Sequence, residues 1–386
     1  TLNVTGNVSN NGTIDTDNGS LNVNGSVDNN GSLNTSGDNG TTSIGGDLNN
    51  SGNVSTTDNG TLNVTGNVSN DENGTIDTSN GGSTDVGGNL SNNGTVGTDN
   101  GSLNVNGSVD NHGSLNTSGD NGTTNIGGDL NNSGNVSTTD NGTLNVTGNV
   151  SNNGTVDTDN GSLNVNGSVD NNGSLNTSGD NGTTNIGGDL NNSGNVSTTD
   201  NGTLNVTGNV SNNGTVDTDN GSLNVNGSVD NNGSLNTSGD NGTTSIGGDL
   251  NNSGNVSTTD NGTLNVTGNV SNDENGTIDT SNGGSTDVGG NLSNNGTIDT
   301  DNGSLNVNGS VDNNGSLNTS GDNGTTNIGG DLNNSGNVST TDNGTLNVTG
   351  NVSNNGTIDT DNGSLNVNGS VDNNGSLNTS GDNGTT

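Results

Sequence analysis

Residues 20–40 read SLNVNGSVDNNGSLNTSGDNG, between TLNVTGNVSNNGTIDTDNG at 1–19 and TTSIGGDLNNSGNVSTTDNG at 41–60. Each begins with a block of 12 residues that closes on a turn glycine, Gly12, Gly31 or Gly52. The return half of the coil, after that glycine, is 7, 9 or 8 residues long in the three copies. Variants of this 60-residue triplet fill the chain, and residues 1–184 return almost unchanged at 203–386, an offset of 202. Self-similarity at a fixed period of about twenty residues marks a solenoid, in which each repeat buries its apolar face only against its neighbours. The sequence therefore predicts an all-β fold, a parallel β-helix (β-solenoid) of about 19 coils of 19–22 residues, running as one continuous array over residues 1–386. The array is organised as 60-residue three-coil units within a 202-residue super-repeat, and Thr385-Thr386 reads as the opening of a further coil. The expectation is a stretch of a longer, processed array.

Within the 12-residue block the apolar period is 2, as a strand requires. Leu2, Val4, Gly6 and Val8 share one parity, and Leu21, Val23, Gly25, Val27 and Thr42, Ile44, Gly46, Leu48 repeat it. After the turn, Ile14, Leu33 and Val54 each add one aliphatic, with Thr16, Thr35 and Thr56 two positions on. A coil thus buries three or four aliphatic side chains, and the glycine at its sixth position is placed to let the chain bend at a corner. Length varies in the return half, while Asp71-Glu72 and Asp273-Glu274 are inserted just before the turn. A hairpin meander fits poorly, since whole coils match one another while the two halves of a coil do not.

Two asparagines are present in all nineteen coils. The tenth residue (Asn10, Asn29, Asn50) has inward parity. The other closes each coil in Asn-Gly (Asn18, Asn39, Asn59), a pair suited to φ > 0. Stacked in phase, identical amides can bond coil to coil, so both positions are expected to form ladders. Bulk composition alone, with 18% hydrophobic residues and a net charge of −41, would predict disorder. A disordered tract has no reason to keep two positions in phase.

The chain has no Lys, Arg, Cys, Met, Pro or aromatic residue and a single histidine. Without cations or aromatics it can neither neutralise phosphates nor stack bases, which excludes nucleic-acid partners. No apolar run reaches membrane-spanning length, so membrane insertion is not expected. An enzyme is not expected either: lone His112 has no Cys, Lys or Arg to work with, and paired carboxylates recur in every unit without one distinguished cleft. The aspartate of Asp-Asn-Gly recurs in seventeen of nineteen coils, as at Asp17, Asp38, Asp58, Asp99 and Asp120. Like charges about 5 Å apart repel, so a stacked row of them would be screened by salt or bridged by Ca²⁺, which accepts oxygen ligands in loose geometry. Calcium is the one cofactor the pattern suggests, and none is required. Sequons such as Asn3-Val4-Thr5 and Asn7-Val8-Ser9 make N-glycans conceivable partners. Ice binding is disfavoured, because the outward third-strand pairs Thr13/Asp15, Ser32/Asn34 and Asn53/Ser55 are irregular.

The phrases GNVSNNGTI (6–14), GSVDNNGSL (25–33) and GDLNNSGNV (46–54) resemble the haemagglutinin repeats of filamentous-haemagglutinin-type exoproteins. The resemblance implies a right-handed parallel β-helix, export from the cell and a fibre or adhesin role. The expected function is an extracellular or cell-surface structural fibre that self-associates end to end into filaments, with the stalk of a surface adhesin as the alternative.

Overall fold

The computed structural model describes residues 1–381 and 385. Every coil is built from three short strands. In the first coil these are β1 (Leu2–Val4), β2 (Val8–Asn10) and β3 (Thr13–Asp17); in the second, β4 (Ser20–Val23), β5 (Val27–Asn29) and β6 (Ser32–Ser36). Like strands pair in parallel and in register: Leu2 opposite Leu21, Asn10 opposite Asn29, Ile14 opposite Leu33. The same alternation continues through about nineteen turns, with no helix among the described residues. The chain divides into two compact units, Thr1–Gly188 with Gly202–Leu204 and Asp189–Asn201 with Asn205–Thr386. Each unit is a parallel β-solenoid with three strand faces.

The inward parity is as the sequence predicts. In the second coil Leu21, Val23, Val27 and Leu33 are buried, together with Asn29 and Thr35. The 12-residue block is not one strand, however, because the fifth to seventh residues form a corner between the first and second strands. Backbone from successive coils runs so close there that a Cβ on Gly25 would lie 2.1 Å from Asn7 Oδ1 and 2.8 Å from the Gly6 carbonyl carbon. Glycine at the sixth position is thus required by the neighbouring coil as well as by the bend.

The second position carries Leu in most coils but Thr in others, and the substitution is systematic. Thr42 accepts a hydrogen bond from Thr35 at 2.8 Å and contacts Thr16 at 3.4 Å; Thr84 contacts Thr78 and Thr56 at 2.8 and 3.1 Å. One second-position Thr therefore bridges the buried third-strand hydroxyls of the two coils before it. A buried hydroxyl without a partner is destabilising, so this bridge lets a thin core hold polar side chains. Where the next two coils both carry Leu the bridge is missing. Thr340, followed by Leu346 and Leu365, has a buried hydroxyl with no partner, as has Thr198 at the same place in its repeat. Thr138 finds only the Asp157 carbonyl at 3.4 Å.

The closing turns correct one sequence expectation. Asn18, Asn59 and Asn100 are left-handed, with φ of 52, 64 and 53°. Asn39 is not. Its 9-residue return half contains Gly37 at φ 80°, and that glycine takes the left-handed position instead. The closing Asn383-Gly384 of the last coil lies outside the described residues.

Candidate functional site

The inward asparagines form a chain of amides. In the first unit Asn10 Nδ2 donates to Asn29 Oδ1 at 2.7 Å, and Asn29 to Asn50, Asn50 to Asn70 and Asn70 to Asn92 at 2.8 Å each. In the second unit the series Asn212, Asn231, Asn252, Asn272 repeats this at 2.7–2.8 Å. Each amide does more than stack. Asn29 Nδ2 also donates to the Gly31 carbonyl across its own turn, at 3.2 Å, and to the Asn53 carbonyl of the next coil, at 2.9 Å. A fully buried amide is stable only when its donors and acceptors are filled, and the turn carbonyls supply what the neighbouring amides do not.

The closing asparagines behave differently from expectation. Asn18 donates to Asp17 at 2.8 Å, Asn59 to Asp38 at 2.7 Å, Asn100 to Asp99 at 3.0 Å and Asn141 to Asp120 at 2.7 Å. These side-chain amides pair with carboxylates, and successive closing asparagines meet through backbone N–H groups, as where Asn141 N–H donates to the Asn160 carbonyl at 3.1 Å. The cause is the unequal return halves. Register is kept through the third strand, which sets Asp17 opposite Ser36 and Asp99 opposite Ser118, and is lost in the turn beyond. For the same reason Asp17, Asp38, Asp58, Asp99 and Asp120, all exposed, are not brought into one stacked row. Among the described residues no three His, Cys, Asp or Glu side chains gather as a metal site would require. His112 is exposed, and its Nδ1 is hydrogen-bonded with Ser133 Oγ. Of the sequon asparagines, Asn3 and Asn7 are exposed and Asn10 is buried.

Two further ladders escaped the sequence reading. At the corner, the seventh residue accepts from the backbone of the next coil: Ser26 N–H to Asn7 Oδ1 at 2.9 Å, Asp47 N–H to Ser26 Oγ at 3.0 Å, Asn67 N–H to Asp47 Oδ1 at 2.8 Å. Asn, Ser and Asp all serve, which is why no single residue type recurs there. On the outer side of the first strand, Asn125 donates to Asn104 and Asn145 to Asn125, both at 2.8 Å. In the second unit Asn327 donates to Asn306 at 2.7 Å and Asn347 to Asn327 at 2.8 Å. This outer ladder runs against the inner one, because its donors point to the preceding coil. Its signal was the Asn at the third position of most coils.

The outer ladder lies along a groove beside the corner. In the first unit the groove encloses 320 Å³ between Asn104, Asn125 and Asn145 on one side and Asn106, Gly127 and Thr147 on the other. The second unit repeats it, at 360 Å³, with Asn306, Asn327, Asn347, Asn308, Gly329 and Thr349.

At the outward positions of the third strands the two copies of the repeat differ at one residue. Asp77 stands opposite Gly97, whereas its counterpart Asp279 stands opposite Asp299. Half-burial raises the Asp279 carboxyl above its usual value, and the charges of Asp299 and Asp301 raise it further against a lowering hydrogen bond from Ser281. Asp217 is likewise raised, by desolvation first and then by Asp219.

These features define a β-solenoid repeat protein. No protein-family model and no curated protein matches the chain. Among solved structures, the crystal structure of a TibC-catalyzed hyper-glycosylated TibA fragment aligns over 97% of this chain and 100% of its own length, at 14% identity and a TM-score of 0.18.

Proposed function

We propose that the chain is an extracellular structural element whose product is length: a fibre protein at or beyond the cell surface that assembles end to end. The observation that carries this is the inner Asn ladder. The bonds one coil makes to the next are those the next makes to its successor. A coil edge therefore presents unpaired strand and amide groups complementary to another coil edge, and such edges template addition. The haemagglutinin-like repeat phrases favour export and a surface setting, and they supply the second reading, an adhesin stalk carrying a binding domain elsewhere. Electron microscopy of native material separates the two. Continuous filaments are expected; isolated particles bearing a terminal domain would sink the fibre and leave the stalk.

A further inference from the structure

The chain carries 41 acidic residues and no Lys or Arg, yet one face is nearly free of charge. The outward positions of the first strands are Ser or Thr followed two residues on by Asn in most coils, as in Ser102/Asn104, Thr123/Asn125 and Thr143/Asn145. Asp85 in the first unit and Asp287 in the second are the only carboxylates at these positions. The second-strand and third-strand faces carry aspartates throughout, as at Asp28, Asp110 and Asp157.

The same face holds the groove. From Asn104 to Thr147 and from Asn306 to Thr349 its lining contains amides, hydroxyls, glycine and aliphatic carbon, with no carboxylate. Towards the preceding coils the groove continues past Asn104 to Asp85 and past Asn306 to Asp287, so each neutral stretch spans three coils and is bounded on that side by a carboxylate. The amides are held in place by the outer ladder, and Asn125 and Asn327 each spend one N–H on a neighbour. One N–H per amide remains for a ligand, repeated at the coil rise of about 4.8 Å. Over these three-coil stretches concavity, periodicity and neutrality occur together, at the same place in both units.

From this we infer that the groove binds a neutral, extended polysaccharide laid along the coils, a β-1,4-linked glucan being the type. Such a chain advances by about one coil per sugar and presents hydroxyls that pair with amides and with Ser or Thr. An anionic polymer is repelled by the flanking aspartates. Flexible chains lose more entropy on ordering than extended ones, which disfavours coiled glucans. With no aromatic ring to stack a sugar, each contact is weak, so affinity grows with the number of coils engaged and short oligosaccharides bind poorly.

The test is affinity electrophoresis of the full chain in gels containing hydroxyethyl cellulose, dextran or alginate. Retardation by hydroxyethyl cellulose is expected, with none by alginate and little by dextran. The double variant Asn125→Asp with Asn327→Asp puts a carboxylate in the middle of each neutral three-coil stretch and is expected to weaken retardation at least tenfold. Aspartate is already tolerated at this position, where Asn104 donates to Asp85 at 2.7 Å, so the variant retains the fold, checked by circular dichroism. Ser69→Asp with Ser271→Asp adds the same charge to the second-strand face and should leave retardation unchanged. No retardation by hydroxyethyl cellulose, equal retardation by alginate or dextran, or equal loss in both double variants would overturn the assignment.

Discussion

Replacing Thr340 by Val should stabilise the protein, while the same replacement at Thr326 should destabilise it. Both residues are buried, at 1% and 0% exposure, so size and hydrophobicity change alike. Thr326 lies in a first strand and Thr340 in a third, and the difference that matters is what the hydroxyl touches. Thr340 Oγ1 has no partner. Thr326 Oγ1 lies 2.8 Å from Thr319 and 3.4 Å from Thr300, and it is the bridge for both. Removing an unpaired buried hydroxyl relieves a desolvation cost of roughly 1–3 kcal/mol. Removing the bridge leaves two hydroxyls stranded, at a cost of about 1–3 kcal/mol for each buried group left unsatisfied. A repeat array need not unfold in one step, so whole-chain melts blur the difference. Native-state hydrogen exchange reads it locally. Amide protection around Val338 and Ile358 should rise about 5- to 150-fold for Thr340→Val, and protection around Leu317 should fall by more, about 30-fold or beyond, for Thr326→Val, which strands two hydroxyls. If both variants shift protection in the same direction, hydroxyl pairing is not what distinguishes the two sites, and the bridge rule is wrong.

Asn231→Ala should be worse than any single surface change. It removes bonds to Asn252, Gly233 and Asn255 and takes the Asn231 acceptor from Asn212, whose amide keeps only the Ser234 carbonyl, so a local loss of about 3 kcal/mol or more is expected, seen as protease sensitivity near that coil. Asp299→Gly, which restores the residue found at Gly97, should bring the Asp279 titration measured by NMR down toward the ordinary value of 3.8; an unmoved titration would show that Asp299 is not a cause of the shift. Because the folded values of Asp217 and Asp279 are raised, the folded state binds more protons than the unfolded one between those values and 3.8, so these groups add stability as pH falls through that window. Denaturation midpoints should therefore rise as the pH is lowered into that window, helped by loss of self-repulsion in a chain of net charge −41 as its carboxylates begin to protonate. Chelation with EDTA should leave the melt unchanged, since Asp38 and Asp120 already accept from Asn59 and Asn141; a clear drop would reinstate a calcium row.

The parts of the fold that could be read from sequence are those where position within the coil is preserved. Leu21, Val23 and Asn29 follow the coil start at constant distance, so their parity and their stacking partners could be counted off. Asn39 and Asp38 sit at the far end of a return half of changing length, and there phase along the chain no longer gives phase along the stack. That is why the second Asn ladder and the aspartate row did not form as expected. The outer ladder through Asn104 and Asn125 was hidden for another reason. Asn is so common in this chain that one more periodic Asn stands out little, and Asp85 or Ser43 interrupts the run. The Thr42 bridge was legible only as a missing Leu, because its partners Thr16 and Thr35 lie in the two coils before it.

The hydroxyl bridge also bears on how such a chain can be inherited. Nearly identical repeats invite gain and loss of segments by recombination. Amide ladders connect nearest neighbours and survive the excision of any whole coil. The threonine bridge reaches back two coils, so removing one coil changes which hydroxyls find partners, whereas moving 202 residues, ten coils at once, keeps the order of Leu and Thr coils unchanged inside the copied block. Lengthening in that large step is the change of size that the core tolerates without new defects within the block, and the near-repeat of residues 1–184 at 203–386 has that step.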